Sequence, residues 1–306
     1  MKINRVSIIG MGALGAMYGE LLSNKLGKDN VEFIASKARI KRYEQEGLYV
    51  NGRPCDFKLT DENEKGQAAD LLIFAVKQTG LESAIKSAAN KVGDQTIIIS
   101  LLNGISSEEI IGEAFGQEKM LYTIAEGMDA VKLGNQLTYS RMGYLWLGSK
   151  TKDQAMTDKL AALVELFDRV ELPYRLEDNV IDRLWSKFML NVGINQVVTI
   201  YEGTYGTILE EGPARQMMIA AMREVMTLAK KENVTITEED FQHYLDLLEP
   251  LDPKKMPSMR QDGLQRKPTE VELFAGTVIR LGKRHGLATP VNQEIYDKVK
   301  EMEAGF

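Results

Sequence analysis

The stretch that decides the fold is Val6-Ser7-Ile8-Ile9-Gly10-Met11-Gly12-Ala13-Leu14-Gly15, residues 6–15 of the chain. An apolar run of strand length stops at Gly10, and a helical pattern starts just after it, so the glycines punctuate a strand-to-helix turn. Their spacing is G-x-G-x-x-G. Gly10 permits the tight turn, Gly12 lets a pyrophosphate approach the backbone, and Gly15 lets the helix pack close to the strand. Phosphates would sit over Met11, Ala13 and Leu14 at the helix N-terminus, where free N–H groups and the dipole favour negative charge. The six-residue motif is common by itself. Here a second strand ends about twenty residues later, which is the setting of a dinucleotide site. A purely structural glycine turn is the alternative.

Working outward, Val31–Ala35, Leu71–Val76 and Ile97–Leu101 are further short, largely apolar runs, as expected of strands covered on both faces. Leu14–Lys25, Ala38–Glu46 and Leu81–Ala89 carry helical spacing between them. That alternation predicts an α/β fold with a Rossmann-type doubly wound parallel sheet. Leu121–Ala125 continues the strands, and Gln136–Arg141 with Tyr144–Leu147 suggests a hairpin around Met142-Gly143. A helix over Thr157–Phe167 and a last strand over Val170–Leu176 complete this half. Beyond Asp178 the strand pattern ends. Helices are expected over Asn179–Thr199, Pro213–Glu232, Glu238–Leu248, Thr269–His285 and Gln293–Met302. Pro213 suits a first turn and Gly286 a C-cap. Four prolines, Pro250, Pro253, Pro257 and Pro268, forbid continuous helix over 250–268. The expected division is a dinucleotide-binding domain over 1–178 and an all-helical substrate domain over 179–306.

The bulk composition narrows the partners. A chain of 306 residues with 44% hydrophobic and 27% charged residues is an ordinary globular protein, long enough for two domains. Its formal net charge of −6 argues against nucleic acid or anionic membrane, both of which reward a basic face. The run after Lys2 is too short for a signal peptide. Leu184–Tyr201 is the most membrane-like stretch, but Lys187, Asn191, Asn195 and Gln196 would be costly in lipid, so a buried helix is expected. The single cysteine, Cys55, excludes an internal disulfide, fits a reducing cytoplasm and is read as incidental. No metal site is expected. The oligomeric state is open, a homodimer included.

The tip of the second strand reports on the cofactor. An acid there would pair with the ribose hydroxyls of NAD. This chain has Ser36-Lys37-Ala38-Arg39, and Lys37 and Arg39 can hold a 2′-phosphate, which favours NADP. The alternative is that both cations are solvated charges on the next helix. Hydride transfer also needs a proton donor for the developing alkoxide. The two histidines serve poorly: His243 falls in a charged helix, and His285 ends a helix, where imidazolium meets the dipole. Lys187 is the better candidate. At about 100° per residue, Asn191 lies ~40° from it and Asn195 ~80°, so the three share one broad helix face. Buried amides and a lysine need a polar surrounding, and partial desolvation lowers a lysine pKa toward a range useful for proton transfer. Spacing alone leaves a solvated helix-end lysine equally open.

These residues carry a resemblance. With Gly10, Gly12 and Gly15, the pair Val76-Lys77, the pair Asn103-Gly104, and Lys187 followed by Asn191 and Asn195, the chain resembles the ketopantoate reductase family over nearly its whole length. The most specific stretch is Pro257-Ser258-Met259-Arg260-Gln261-Asp262 with Thr269-Glu270 after it. The resemblance implies NADPH-dependent reduction of 2-dehydropantoate to pantoate, on the way to coenzyme A. It implies Lys187 as general acid and Glu270 as the residue that orients substrate and poises Lys187. Asn191 and Asn195 would bind substrate hydroxyl or carboxylate oxygens, and Ser258 the carboxylate. Asn103 and Lys77 would lie where nicotinamide and ribose meet substrate. For Asn103, Lys77 and Ser258 a structural role in loop or strand end is the alternative.

Two departures stand out. The family often has arginine at the second strand's tip, where this chain has Ser36, so Lys37 or Arg39 would substitute, or NAD would serve. After the second asparagine, Gln196-Val197-Val198-Thr199 replaces the family's usual residues and is expected to shape the pocket. Reductases of other branched or aromatic 2-keto acids, β-hydroxyacid dehydrogenases and a non-catalytic NADP(H) sensor are the competing readings. The second lacks support, because Asp182-Arg183-Leu184-Trp185-Ser186 has no glycine-rich approach to Lys187.

Overall fold

A computed structural model describes residues 1–306. The chain divides into two compact units, Met1–Leu102 with Ser106–Val180, and Asn103–Ile105 with Ile181–Phe306.

The first unit runs β1 (Val6–Ile9), α1 (Ala13–Leu26), β2 (Val31–Ala35), α2 (Lys37–Glu46), β3 (Leu48–Val50), β4 (Arg53–Cys55), β5 (Lys58–Asp61), β6 (Leu71–Phe74), α3 (Leu81–Ala88), β7 (Ile97–Ser100), α4 (Ser107–Phe115), β8 (Met120–Glu126), β9 (Val131–Leu133), β10 (Gln136–Thr138), β11 (Tyr144–Gly148), α5 (Gln154–Val170) and β12 (Tyr174–Leu176). Its large sheet has the order β12-β11-β8-β7-β6-β1-β2-β5. From β5 to β8 every neighbouring pair is parallel. Strand order therefore reverses between β1 and β6, the switch point at which doubly wound sheets bind ligands.

Both faces of the sheet are covered, as the largely apolar runs require. Val6 and Ile8 pack with Met17, Tyr18 and Leu22 of α1 and Phe167 of α5 on one face. Ile9, Ile34, Leu72 and Phe74 pack with Leu81 and Ala84 of α3 and Ile111 of α4 on the other. One polar group interrupts the second face. Glu32 accepts from Ser7 Oγ (2.8 Å) and Thr60 Oγ1 (2.6 Å) and pairs with the buried Lys91 ammonium at 3.0 Å. Burial raises its carboxyl, but the hydrogen bonds from Thr60, Ser7 and Lys91 outweigh that and hold it below its ordinary range.

The expected hairpin around Met142-Gly143 does not form. β10 joins a separate four-stranded sheet of order β4-β3-β10-β9, whereas β11 pairs antiparallel with β8 and parallel with β12. Side-chain acceptors divert the chain between them: Asn51 Oδ1 takes Tyr139 N–H (2.9 Å), and Asp129 Oδ1 takes those of Ser140 (2.8 Å) and Arg141 (2.7 Å). The small sheet had a signal in Asn51-Gly52, both at positive φ (49° and 76°), as in the tightest two-residue hairpins. The last strand is also shorter than expected, because α5 continues through Val170.

The second unit is helical: α6 (Val180–Ile200), α7 (Gly206–Leu209), α8 (Pro213–Lys231), α9 (Glu238–Asp246), α10 (Ser258–Leu264), α11 (Ala275–His285) and α12 (Pro290–Glu303). Phe188, Val192, Met218, Met222, Phe274, Val278 and Ile295 share its core. α6 and α8 meet at Gly193, where a Cβ would stand 2.7 Å from Met222 Cγ. Helix ends are satisfied by long side chains. Glu224 accepts the N–H groups of Val291 (2.8 Å) and Asn292 (3.0 Å) at the start of α12, and Arg260 donates to the Glu202 carbonyl just past α6 (3.1 Å).

Two expectations are corrected here. α11 begins at Ala275 rather than Thr269, so Thr269–Phe274 forms a turn. Gln196 is the reason. Its amide, fully buried, donates to Val192 O (2.8 Å) and accepts the Ala275 N–H (2.9 Å). Val197, Val198 and Thr199 are likewise buried, and the Thr199 hydroxyl donates to Asn195 O. The stretch 196–199 therefore builds the core of the helical unit instead of lining a pocket.

Two measurements test this architecture. Gln196→Leu strands the buried Ala275 N–H, and chemical denaturation should show a loss of about 1–3 kcal/mol. Glu32 has a depressed carboxyl, so its contribution to stability is present above the ordinary carboxylate pKa and is lost as pH falls through the folded value. Glu32→Gln should cost roughly 3–5 kcal/mol at neutral pH by leaving Lys91 uncompensated. It should also flatten the decline of stability below about pH 5, as pH falls through the ordinary carboxylate pKa toward the lower folded value.

Candidate active site

The first unit carries the candidate nucleotide-binding residues. Gly10 has φ +103°, and a Cβ there would stand 2.4 Å from the Ala75 carbonyl oxygen, just beyond β6. A Cβ on Gly15 would stand 2.0 Å from Gly10 O. The turn thus nests against the end of β6 at the switch point, with α1 pressed onto it. Gly12 differs. It is the N-cap of α1, has extended φ and ψ, and offers no side-chain cap. A Cβ there would meet only Ala75 O, at 3.5 Å. The space above the first turn of α1 is open, no acidic residue stands in that turn, and its N–H groups are free of a side-chain cap. This cradle fits a pyrophosphate. Met11 is buried beneath it, while Ala13 and Leu14 are half-buried.

Ser36 is the N-cap of α2, and Lys37 and Arg39 stand exposed on its first turn. Lys37 Nζ lies 3.9 Å from Asp61 Oδ2, on the neighbouring strand β5. The Asn63 backbone N–H, helped by its side chain and by Lys37, holds the Asp61 carboxyl below its ordinary range. Asp61 was missed in sequence because β5 is only four residues long and carries no unbroken apolar run. Lys77 is exposed and caps the short turn Gln78–Gly80 after β6.

The helical unit carries a separate group of candidate residues. Lys187, half-buried on α6, donates to Asn103 Oδ1 at 3.3 Å. Asn103 belongs to a turn held by Gly104, whose φ of +91° and close approach to Leu273 (2.5 Å from a would-be Cβ) exclude a side chain. Leu273 follows Glu270 in the turn before α11, and the Glu270 carbonyl accepts the Leu273 and Phe274 N–H groups at 3.0 Å each. Asn191 is half-buried on α6 and Asn195 is buried, 7% exposed. Ser258 is exposed at the first turn of α10, and Glu270 is half-buried. Lys187 and Asn103, both singled out in sequence, are thus joined directly through their side chains.

Other titratable groups have ordinary structural explanations. His285 Nε2 bonds Glu232 Oε1 at 2.5 Å at the end of α11, and His243 is exposed. Burial and then the Glu20 carboxylate raise the Cys55 thiol, which disfavours the nucleophilic thiolate. No group of side chains capable of holding a metal is present, and no helix is long and apolar enough to cross a membrane.

A doubly wound sheet with an open glycine cradle at its switch point, joined in one chain to a helical unit bearing a lysine–asparagine pair, defines a two-unit oxidoreductase of the dinucleotide-binding class. Comparison places it more closely. Residues 6–152 match the model of ketopantoate reductase PanE/ApbA, and residues 179–303 match its C-terminal counterpart, so the chain belongs to the ketopantoate reductase family. A 2-dehydropantoate 2-reductase of Vibrio cholerae is 27% identical over 239 residues, covering 78% of this chain and 79% of its own. Among solved structures, the ternary complex of a D-mandelate dehydrogenase with NADH and anilino(oxo)acetate has the same fold, with TM-score 0.86, 23% identity and coverage of 98% and 99% of the two chains. A PanE/ApbA family ketopantoate reductase from Ralstonia eutropha JMP134 gives TM-score 0.83 at 23% identity, with the same coverage.

The two glycines separate packing from binding. Gly15→Ala should abolish the cooperative melt or lower it sharply, since the clash is with backbone. Gly12→Ala should melt near wild type yet bind reduced nicotinamide dinucleotide at least about ten-fold more weakly, measured by the fluorescence of bound nucleotide.

Proposed function

We propose that the chain reduces a 2-keto acid with NADPH, and that the substrate is 2-dehydropantoate, converted to pantoate for pantothenate and coenzyme A synthesis in the cytoplasm. The observation that carries this reading is the bond from Lys187 Nζ to Asn103 Oδ1, which joins two residues 84 positions apart. A reductase needs such a pair, a proton donor and a carboxamide that orients it.

The bound cofactor supplies a hydride to the carbonyl carbon. The chain does the rest. Lys187 Nζ hands a proton to the carbonyl oxygen as negative charge develops there. Asn103 holds the ammonium in place by accepting a hydrogen bond from it, leaving its other N–H groups to point at substrate. Glu270 orients the substrate and poises the lysine. Asn191 and Asn195 bind hydroxyl or carboxylate oxygens, and Ser258 binds the carboxylate. Gly10, Gly12 and Gly15 hold the pyrophosphate, Lys37 and Arg39 the 2′-phosphate, and Lys77 the nicotinamide ribose.

A second reading keeps the chemistry and changes the substrate and cofactor. Similarity in fold to an NADH-bound D-mandelate dehydrogenase favours an aromatic or branched 2-keto acid with NADH. Steady-state assays across a panel of 2-keto acids with both nucleotides separate the two. Lys187→Ala should lower kcat at least ~100-fold on whichever acid is turned over. Absence of turnover with every acid would overturn the catalytic reading and leave a nucleotide-binding sensor.

A further inference from the structure

The tip of β2 carries Ser36 where dinucleotide folds that select NAD place an acid. The structure supplies an acid from the neighbouring strand. Parallel pairing of β2 with β5 sets Ala35 opposite Asp61, and the Glu62 N–H donates to Ala35 O at 3.1 Å, which ties the two strand ends together. Asp61 Oδ1 accepts from Asn63 N (2.8 Å) and Asn63 Nδ2 (3.1 Å), so its carboxylate is held in one orientation. Oδ2 is shielded from solvent and accepts no hydrogen bond. It faces the ammonium of Lys37 at 3.9 Å, while the Lys37 side chain is 87% exposed and free to swing.

Accepting that the glycine cradle binds a nicotinamide dinucleotide, we infer that Asp61 sets the balance between phosphorylated and unphosphorylated adenosine ribose. A 2′-phosphate at the start of α2 must draw Lys37 away from Asp61 and approach a carboxylate that cannot turn aside. An unphosphorylated ribose meets neither cost. Asp61 therefore offsets part of the attraction that Lys37, Arg39 and the N-terminus of α2 offer to a phosphate. Charges near a surface a few ångströms apart interact by about 1 kcal/mol, so the offset is worth roughly five-fold in relative affinity. The effect is positional, and Lys37 is its other half.

The test is nucleotide binding without any keto acid, by fluorescence of bound NADPH and NADH at low and high salt. Asp61→Asn retains the Oδ1 acceptor for Asn63 and removes the charge. It should raise the affinity ratio of NADPH to NADH about five-fold at low ionic strength, with the gain fading in high salt as exposed charges are screened. Lys37→Met, at a site exposed enough to tolerate it, should lower that ratio by a similar factor. An Asp61→Asn ratio within about two-fold of wild type, or a Lys37→Met ratio equal to wild type, overturns the inference. Failure of the wild-type protein to bind either nucleotide overturns it together with the dinucleotide reading. Normal binding without turnover overturns only the reductase proposal.

Discussion

The close approach of α1 to the turn after β1 is the constraint on which the first unit depends. Gly15 sits against the Gly10 carbonyl with no room for one methyl group, and Gly10 sits against the Ala75 carbonyl in a backbone conformation that side chains resist. These contacts fix where the N-terminus of α1 opens, and they fix it at the strand-order reversal between β1 and β6. That placement suits an anion, because N–H groups without a side-chain cap and the helix dipole converge at Gly12, the one glycine of the motif where a Cβ would meet no close contact. The same three residues thus divide their work between packing and access.

The helical unit meets a different demand. Its candidate proton donor, Lys187, lies on a helix with no fully exposed residue, so the polar groups on that helix need partners. Gln196 spends both ends of its amide on main chain, Glu224 caps α12, and Arg260 caps α6. By stopping α11 at Ala275, Gln196 leaves Glu270 in a turn rather than on a helix. Gly104 lets the Asn103 turn rest on Leu273 in that same segment, and Asn103 in turn holds Lys187. A core amide and a small residue therefore sit behind the arrangement of the candidate proton donor.

Charge is used differently in the two polar clusters of the first unit. Glu32 and Lys91 are enclosed and hydrogen-bonded on several sides, a pairing whose loss is costly because the survivor stays buried. Lys37 and Asp61 form a looser pair, 3.9 Å apart with the lysine exposed, so the pairing contributes little to stability and is easily exchanged for another partner. Only the second kind can respond to a ligand.

Period and punctuation in the sequence determined the class of fold. Short, largely apolar runs bounded by turn residues, such as Val6–Ile9 and Leu71–Phe74, read as strands covered on both faces, and the glycines, Pro213 and Gly286 mark turns and helix ends by local backbone chemistry. Lys187 and its two asparagines were legible for the same reason, since helical spacing alone places them on one face. What only the tertiary structure decided were the relations that cross sequence distance. β10 leaves β11 for another sheet because Asn51 and Asp129 capture the intervening N–H groups. α11 starts late because Gln196 reaches it from 79 residues away. Asp61 comes beside Ser36 because β5 pairs with β2. Local rules act over a few residues, whereas a hydrogen bond or ion pair depends on which groups packing brings within about 3–4 Å, and that is a property of the folded chain alone.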